Sequence, residues 1–184
     1  MEKFIYLHPL KFNYMNEYKI KLNGLKDGSY SNSFTIRGEF FEAFNTSEIK
    51  YVNIDIDTIL MVENKSFNLK IKSEGMVKDI PCDICTEKID VPILSELNYV
   101  IKRGIVKDFE DENVIFINES EKELNLDNIL YEMIVLAFPT KRQHKLNSVK
   151  NDECNKEMVN LINKYSIKEK KDIDPRWEAL KKLK

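Results

Sequence analysis

Three cysteines, two histidines, five glycines and a single tryptophan among 184 residues leave few catalytic devices within reach. There is no Gly-rich phosphate loop, no Gly-x-Ser-x-Gly elbow and no His-Glu-x-x-His pair, so the chemistries those motifs carry have no anchor here. Two histidines also restrict general acid-base work, and the expectation is a protein that binds rather than catalyses. So few cysteines, an odd number, do not build a disulfide framework, which points to a reducing compartment and to metal chemistry. No run of about 18 apolar residues is present to span a bilayer, and residues 1–10 carry charge where a signal peptide needs an apolar core. A cytoplasmic location is expected. Neither an internal repeat nor a low-complexity segment interrupts the chain.

The length suits one medium domain with a tail. Hydrophobic residues make up 42% of the chain, and ten Phe with eight Tyr supply large apolar areas for its core. The net charge of -2 conceals an asymmetry, because residues 1–138 hold 16 basic and 24 acidic side chains whereas residues 139–184 hold 13 and 7. Only the C-terminal quarter is basic. It can attract a phosphate backbone through counterion release, with modest and salt-sensitive affinity, or serve as a solvated lysine-rich tail.

Hydrophobic patterning predicts a mostly antiparallel sheet over the first 120 residues. Residues 34–44 read as a strand bent at Gly38, since a strand glycine often marks a bulge or a close backbone approach. Val52, Ile54, Ile56, Thr58 and Leu60 alternate with polar residues, Phe67, Leu69 and Ile71 repeat the pattern, and 63–66 form the turn between. Asp55 and Asp57 share a face of that strand, where acids usually serve solvation. The chain then runs extended from Gly75 to Cys82, turns over 82–85 and resumes through Lys88 to Val91 as a hairpin. Extended runs at 97–101 and 114–117 flank an acidic stretch around 108–113. From Leu126 the period becomes helical through Ile129, Leu130, Met133, Ile134 and Ala137, with Asn125 or Asp127 to cap the start and Pro139 to end it. Met158, Leu161, Ile162 and Tyr165 mark a second amphipathic helix. Asp174 and Pro175 open a short terminal helix that aligns Trp177, Leu180 and Leu183, either docked on the domain or awaiting a partner. The expected fold is α+β: a mostly antiparallel sheet or partly open barrel covered by one or two helices. It occupies residues 1–165, and a flexible basic tail with its short helix occupies 166–184.

Cys82-Asp-Ile-Cys85 at a hairpin tip offers two thiolates on one side of a tight turn, half of a tetrahedral zinc site. His8, His144 and Cys154 are the available partners. His144 and Cys154 flank one loop after the helix that covers the sheet, so a single crossing brings both to the tip, whereas His8 beside Pro9 reads as a surface residue. Cys82, Cys85, His144 and Cys154 together would make a closed structural site with no open position for substrate. Isolated, partly buried thiols are the plain alternative. A thioredoxin-like redox centre needs a βαβ setting, and these flanks read as strands. Lys141, Arg142 and Lys145 around His144 can meet phosphate, or complement the dipole of the helix before them.

The strand pair leading into Cys82-Asp-Ile-Cys85, the stretch from Leu124 to Lys141 and the terminal Asp174 to Leu183 resemble, in order and spacing, the YceD-like family of large ribosomal RNA subunit accumulation proteins. The resemblance runs from about residue 34 to the C-terminus. It implies a second ligand pair after the covering helix, which here corresponds to His144 and Cys154, and a zinc that is scaffold rather than the seat of function. It also implies a non-catalytic role in the accumulation or processing of large-subunit ribosomal RNA. The expected partner is that RNA's precursor or a large-subunit ribosomal protein, met through Lys141, Arg142, Lys145, Arg176 and Trp177. A protein-protein adaptor without nucleic-acid contact, whose acidic stretch engages a basic ribosomal protein, is the alternative, and a Cys-x-x-Cys thiol-redox protein a further one.

Overall fold

The computed structural model describes residues 18–46, 49–64, 66–104, 113–144 and 153–166. The expected terminal helix with Arg176 and Trp177, the acidic residues before 113, Lys145 and His8 lie outside them. In chain order the elements are β1 (Lys19–Lys21), β2 (Gly28–Ile36), α1 (Gly38–Ala43), β3 (Tyr51–Glu63), β4 (Ser66–Pro81), β5 (Lys88–Arg103), β6 (Val114–Ile117), β7 (Glu123–Asn125), α2 (Asp127–Ala137) and α3 (Lys156–Tyr165). Five strands form one sheet in the order β2-β3-β4-β5-β6, and β1 pairs with β7 apart from it. The fold is α+β, as expected. All pairings in the large sheet are antiparallel except β5 with β6, which run parallel.

The period-2 pattern of β3 sends Val52, Ile54, Ile56, Leu60 and Val62 into the core and Asp55 and Asp57 to the outer face. Register follows from that pattern: Ile54 faces Gly75, Ile56 faces Ser73 and Leu60 faces Leu69, so a slip by one residue would put every one of these on the wrong face. Gly75 stands where β3 comes so close that a Cβ would overlap the Asn53 carbonyl oxygen. β5 is a single strand through Pro92, where the sequence suggested two extended runs. Proline is tolerated there because β6 covers β5 only from Val100 to Arg103, leaving an edge with no strand beside it among the described residues, suited to a residue without an N–H.

The strand expected over 34–44 is corrected. The extended chain stops at Ile36, and Gly38–Ala43 is α1. Phe40 and Phe41 are both buried, which neighbouring residues of a strand packed on one face cannot achieve but adjacent helical positions can. Gly38 does mark a close approach, since a Cβ would overlap the Lys50 carbonyl oxygen, but at a helix start rather than a strand bend. The helix brings its rings to Tyr18 (5.3 Å from Phe40) and, through Phe44, to Tyr131 of α2, stacked at 4.1 Å.

Helix α2 lays Leu130, Met133 and Ile134 on the core face, packed with the strands' Ile and Leu side chains. Its start is held by Asn125, whose Oδ1 accepts the Asp127 N–H at 2.7 Å, and it ends before Pro139 as expected. β1 and β7 close the core beside it by pairing Ile20 with Leu124, both buried. Helix α3 differs. None of its residues is buried, although Met158 touches the core.

Candidate metal centre

The β4–β5 hairpin is shaped at its tip by a bulge: between the Val77–Val91 and Ile80–Ile89 pairs, two residues of β4 face one of β5. Asp79 in that bulge has φ 63° and accepts the Lys88 ammonium at 2.7 Å, which fixes the added twist. Beyond it the Cys82 N–H donates to the Glu87 carbonyl at 2.8 Å and the Thr86 N–H to the Cys82 carbonyl at 2.9 Å. Those bonds close a turn that faces both sulfurs inward, so Cys82 and Cys85 are buried. Thr86 takes φ 61°, a left-handed conformation that a β-branched residue adopts only under constraint.

His144 and Cys154 arrive at the same point. Cys82 Sγ lies 3.8 Å from Cys154 Sγ, while Cys85 Sγ and Cys154 Sγ each lie 3.5 Å from His144 Nδ1. All four ligand atoms fall within 4.8 Å of one another. A tetrahedral zinc with Zn–S of about 2.3 Å and Zn–N of about 2.05 Å requires S···S of about 3.8 Å and S···N of about 3.6 Å. These three spacings match that requirement within about 0.1 Å, and three soft sulfurs with one imidazole form a donor set suited to zinc. The four side chains therefore can hold a metal ion, and no place is left in such a tetrahedron for water or substrate.

Electrostatics favour a cation at this point. Burial pushes the Cys82 thiol up, but the N–H groups of Cys85 and Ile84 aimed at its sulfur, together with His144, outweigh burial and bring it down to about 6. Burial and then the Cys82 sulfur push Cys154 the other way, to about 11. Thiolates crowded this closely resist a second ionisation, and the charge of a divalent ion would offset that repulsion and allow its ligands to deprotonate.

Three residues that the sequence did not single out clip the ligands together. Asp83, between the cysteines, accepts the Arg142 N–H at 2.6 Å and its guanidinium at 3.3 Å, and its own N–H donates to the Arg142 carbonyl at 2.8 Å. That fixes the chain two residues before His144. Glu87 accepts the Asn155 side-chain amide at 3.1 Å, next to Cys154. Asn155 also caps α3, its Oδ1 accepting the Glu157 N–H at 3.0 Å. An Asn immediately before an amphipathic run is a readable cap signal, whereas the partners of Asp83 and Glu87, about 60 or more residues away in sequence, have no local signature. Among the sequence-predicted partner residues, Lys141 is exposed and Arg142 is engaged by Asp83.

A family model described as large ribosomal RNA subunit accumulation protein YceD matches residues 69–184. The match takes in all four cluster residues and begins within β4, later than the residue 34 from which the motifs run. No curated protein and no solved structure matches the chain.

Proposed function

The chain belongs to the YceD family, and on that premise we propose that it is a non-catalytic assembly factor supporting the accumulation or processing of large-subunit ribosomal RNA in the cytoplasm. Cys82, Cys85, His144 and Cys154 hold a structural zinc, which supplies a four-way cross-link between the sheet and the C-terminal quarter. The observation that supports the metal site is the clustering of three sulfurs and one imidazole nitrogen within 4.8 Å of one another, three of the pairs at 3.5 to 3.8 Å. Lys141, Lys145 and Arg176 contribute positive charge toward a phosphate backbone, Trp177 contributes an aromatic anchor, and Arg142 joins them from its place against Asp83. The partner is precursor ribosomal RNA or a large-subunit ribosomal protein. Consistent with this, no helix among the described residues is long and apolar enough to cross a membrane.

The test is recovery of the tagged full chain from its own cells at low and high salt, sequencing RNA and identifying proteins from one sample. Large-subunit precursor RNA that is enriched at low salt and lost at high salt supports direct phosphate contact. Ribosomal proteins retained after nuclease treatment, without RNA, favour the adaptor reading. Recovery of neither overturns the ribosomal role.

A further inference from the structure

Strands at a sheet edge are ordinarily guarded by proline or charge, because free N–H and C=O groups template another strand. The open part of β5 follows that rule with Lys88, Pro92 and Glu96. β2 does not. It stands first in the strand order, and its nine residues, Gly-Ser-Tyr-Ser-Asn-Ser-Phe-Thr-Ile, carry no charge and no proline. Its described backbone pairing is with β3 alone, from Gly28 opposite Val62 to Ile36 opposite Ile54, so one whole edge is left without a strand among the described residues.

The face beside that edge carries two acids on β3, with Glu74 and Lys72 opposite them on β4. Asp55 and Asp57 point outward from β3 and receive the hydroxyls of Thr35 at 2.9 Å and Ser33 at 2.6 Å, both from β2. Among the described residues neither carboxylate forms an ion pair, whereas Glu96 across the same open groove takes both Lys70 and Lys72. Two acids in register beside an uncharged edge suit an incoming strand whose alternate side chains are basic. Neighbouring strands lie about 4.8 Å apart, and a long cationic side chain on the next strand reaches diagonally over β2 to these carboxylates. A nucleic acid has no ladder to offer this edge.

We propose that the outer edge of β2 accepts an extended lysine- or arginine-rich segment of a partner protein as an added strand, its backbone paired with β2 and its basic side chains over Asp55 and Asp57. The inference deepens the ribosomal reading by naming the mode of contact with a basic protein, and rests on it for the source of that segment alone.

The experiment is fluorescence anisotropy of the full chain with a labelled peptide of alternating threonine and lysine. Controls are the same peptide with alternate backbone amides N-methylated, a threonine-glutamate version and a threonine-glutamine version. The lysine peptide binds, N-methylation weakens it by about tenfold or more, and the glutamate version does not bind. Asp55→Asn with Asp57→Asn weakens the lysine peptide by about threefold to tenfold and leaves the glutamine peptide unchanged. Successive residues of β2 point their N–H groups alternately inward and outward, so one of Ser31→Pro and Asn32→Pro spares the β3 pairing and keeps the melting temperature. That variant loses the peptide. Binding indifferent to both N-methylation and that proline overturns the proposal. So does a dimer of the free protein that the same proline dissolves, which would give the edge to a second copy. Peptide binding that follows these rules without co-purifying ribosomal material upholds the edge site while the ribosomal reading fails.

Discussion

Removing the metal should cost this chain a large part of its stability, and the size of the loss follows from the connectivity. The cluster joins Cys85 to His144, 59 residues away in sequence, and Cys82 to Cys154, 72 residues away. Closing a loop of about 60 residues by a cross-link removes about 4 kcal/mol of chain entropy from the unfolded state. Apparent zinc affinities of about 10 to 16 kcal/mol in small modules exceed that cost, so the ion can hold the closure. Against a total stability of about 5 to 15 kcal/mol, a loss of about 4 kcal/mol lowers the melting temperature by about 8 to 16 °C for a chain of this size. The assay is thermal unfolding by circular dichroism with zinc and with excess chelator, paired with metal analysis of the purified protein. Cys82→Ser with Cys85→Ser should melt at the chelated wild-type temperature and stop responding to chelator. Equal melting temperatures for the fully zinc-loaded and the metal-stripped wild type would refute a stabilising closure.

Thr86→Gly relieves a β-branched side chain at φ 61° and should add about 1 kcal/mol in urea unfolding of the zinc-loaded protein, so a loss there would show that Thr86 makes a compensating contact. Gly75→Ala sets a methyl group against the Asn53 carbonyl and the Ile54 backbone, and should cost about 3 kcal/mol by the same measurement. Asp83→Ala removes the acceptor that fixes the chain before His144, and should weaken zinc by about tenfold to a hundredfold in competition with a chromophoric chelator, the fold being retained. Because α3 buries none of its residues, chelation should speed amide exchange over Lys156–Tyr165 beyond the general rise that the lower global stability brings to β3 and β4. Uniform loss of protection would mean that the cluster holds the sheet itself together.

Legibility in the sequence tracked how local the deciding interaction is. The alternation of β3 and the helical period of α2 are set by one buried face each, so their residues announce them. α1 is set by what lies around it. Gly-Glu-Phe-Phe-Glu-Ala carries the aromatic content of a strand, and only the need to bury Phe40 and Phe41 together against Tyr18 and α2 selects a helix. β1 is three residues long and pairs with a segment about a hundred positions later, so neither its period nor its neighbours distinguish it from loop. The four residues of the cluster were readable as neighbours because cysteine and histidine are scarce here. The Asp83–Arg142 and Glu87–Asn155 clips were not, because acids and amides abound and only folding chooses among them.

The same scarcity of local contact assigns the cluster its task. A sheet whose core contains Ile54, Ile56, Leu60, Leu69, Ile71 and Ile93, all essentially inaccessible, needs no ion to exclude water. Among the described residues, helix α3 has no such core. Helix α3 reaches the body through Met158, through the Asn155–Glu87 clip and through Cys154, and a single exposed hydrogen bond of the kind Asn155 makes contributes only about 1 kcal/mol. The Cys154 sulfur is therefore the strong attachment, and it becomes strong only when a cation holds it against the hairpin thiolates. The basic residues begin at Lys141 and continue beyond α3 in the sequence, so the consequence of a bound ion would be positional. It would hold His144 and Cys154 at the end of the hairpin defined by Cys82 and Cys85.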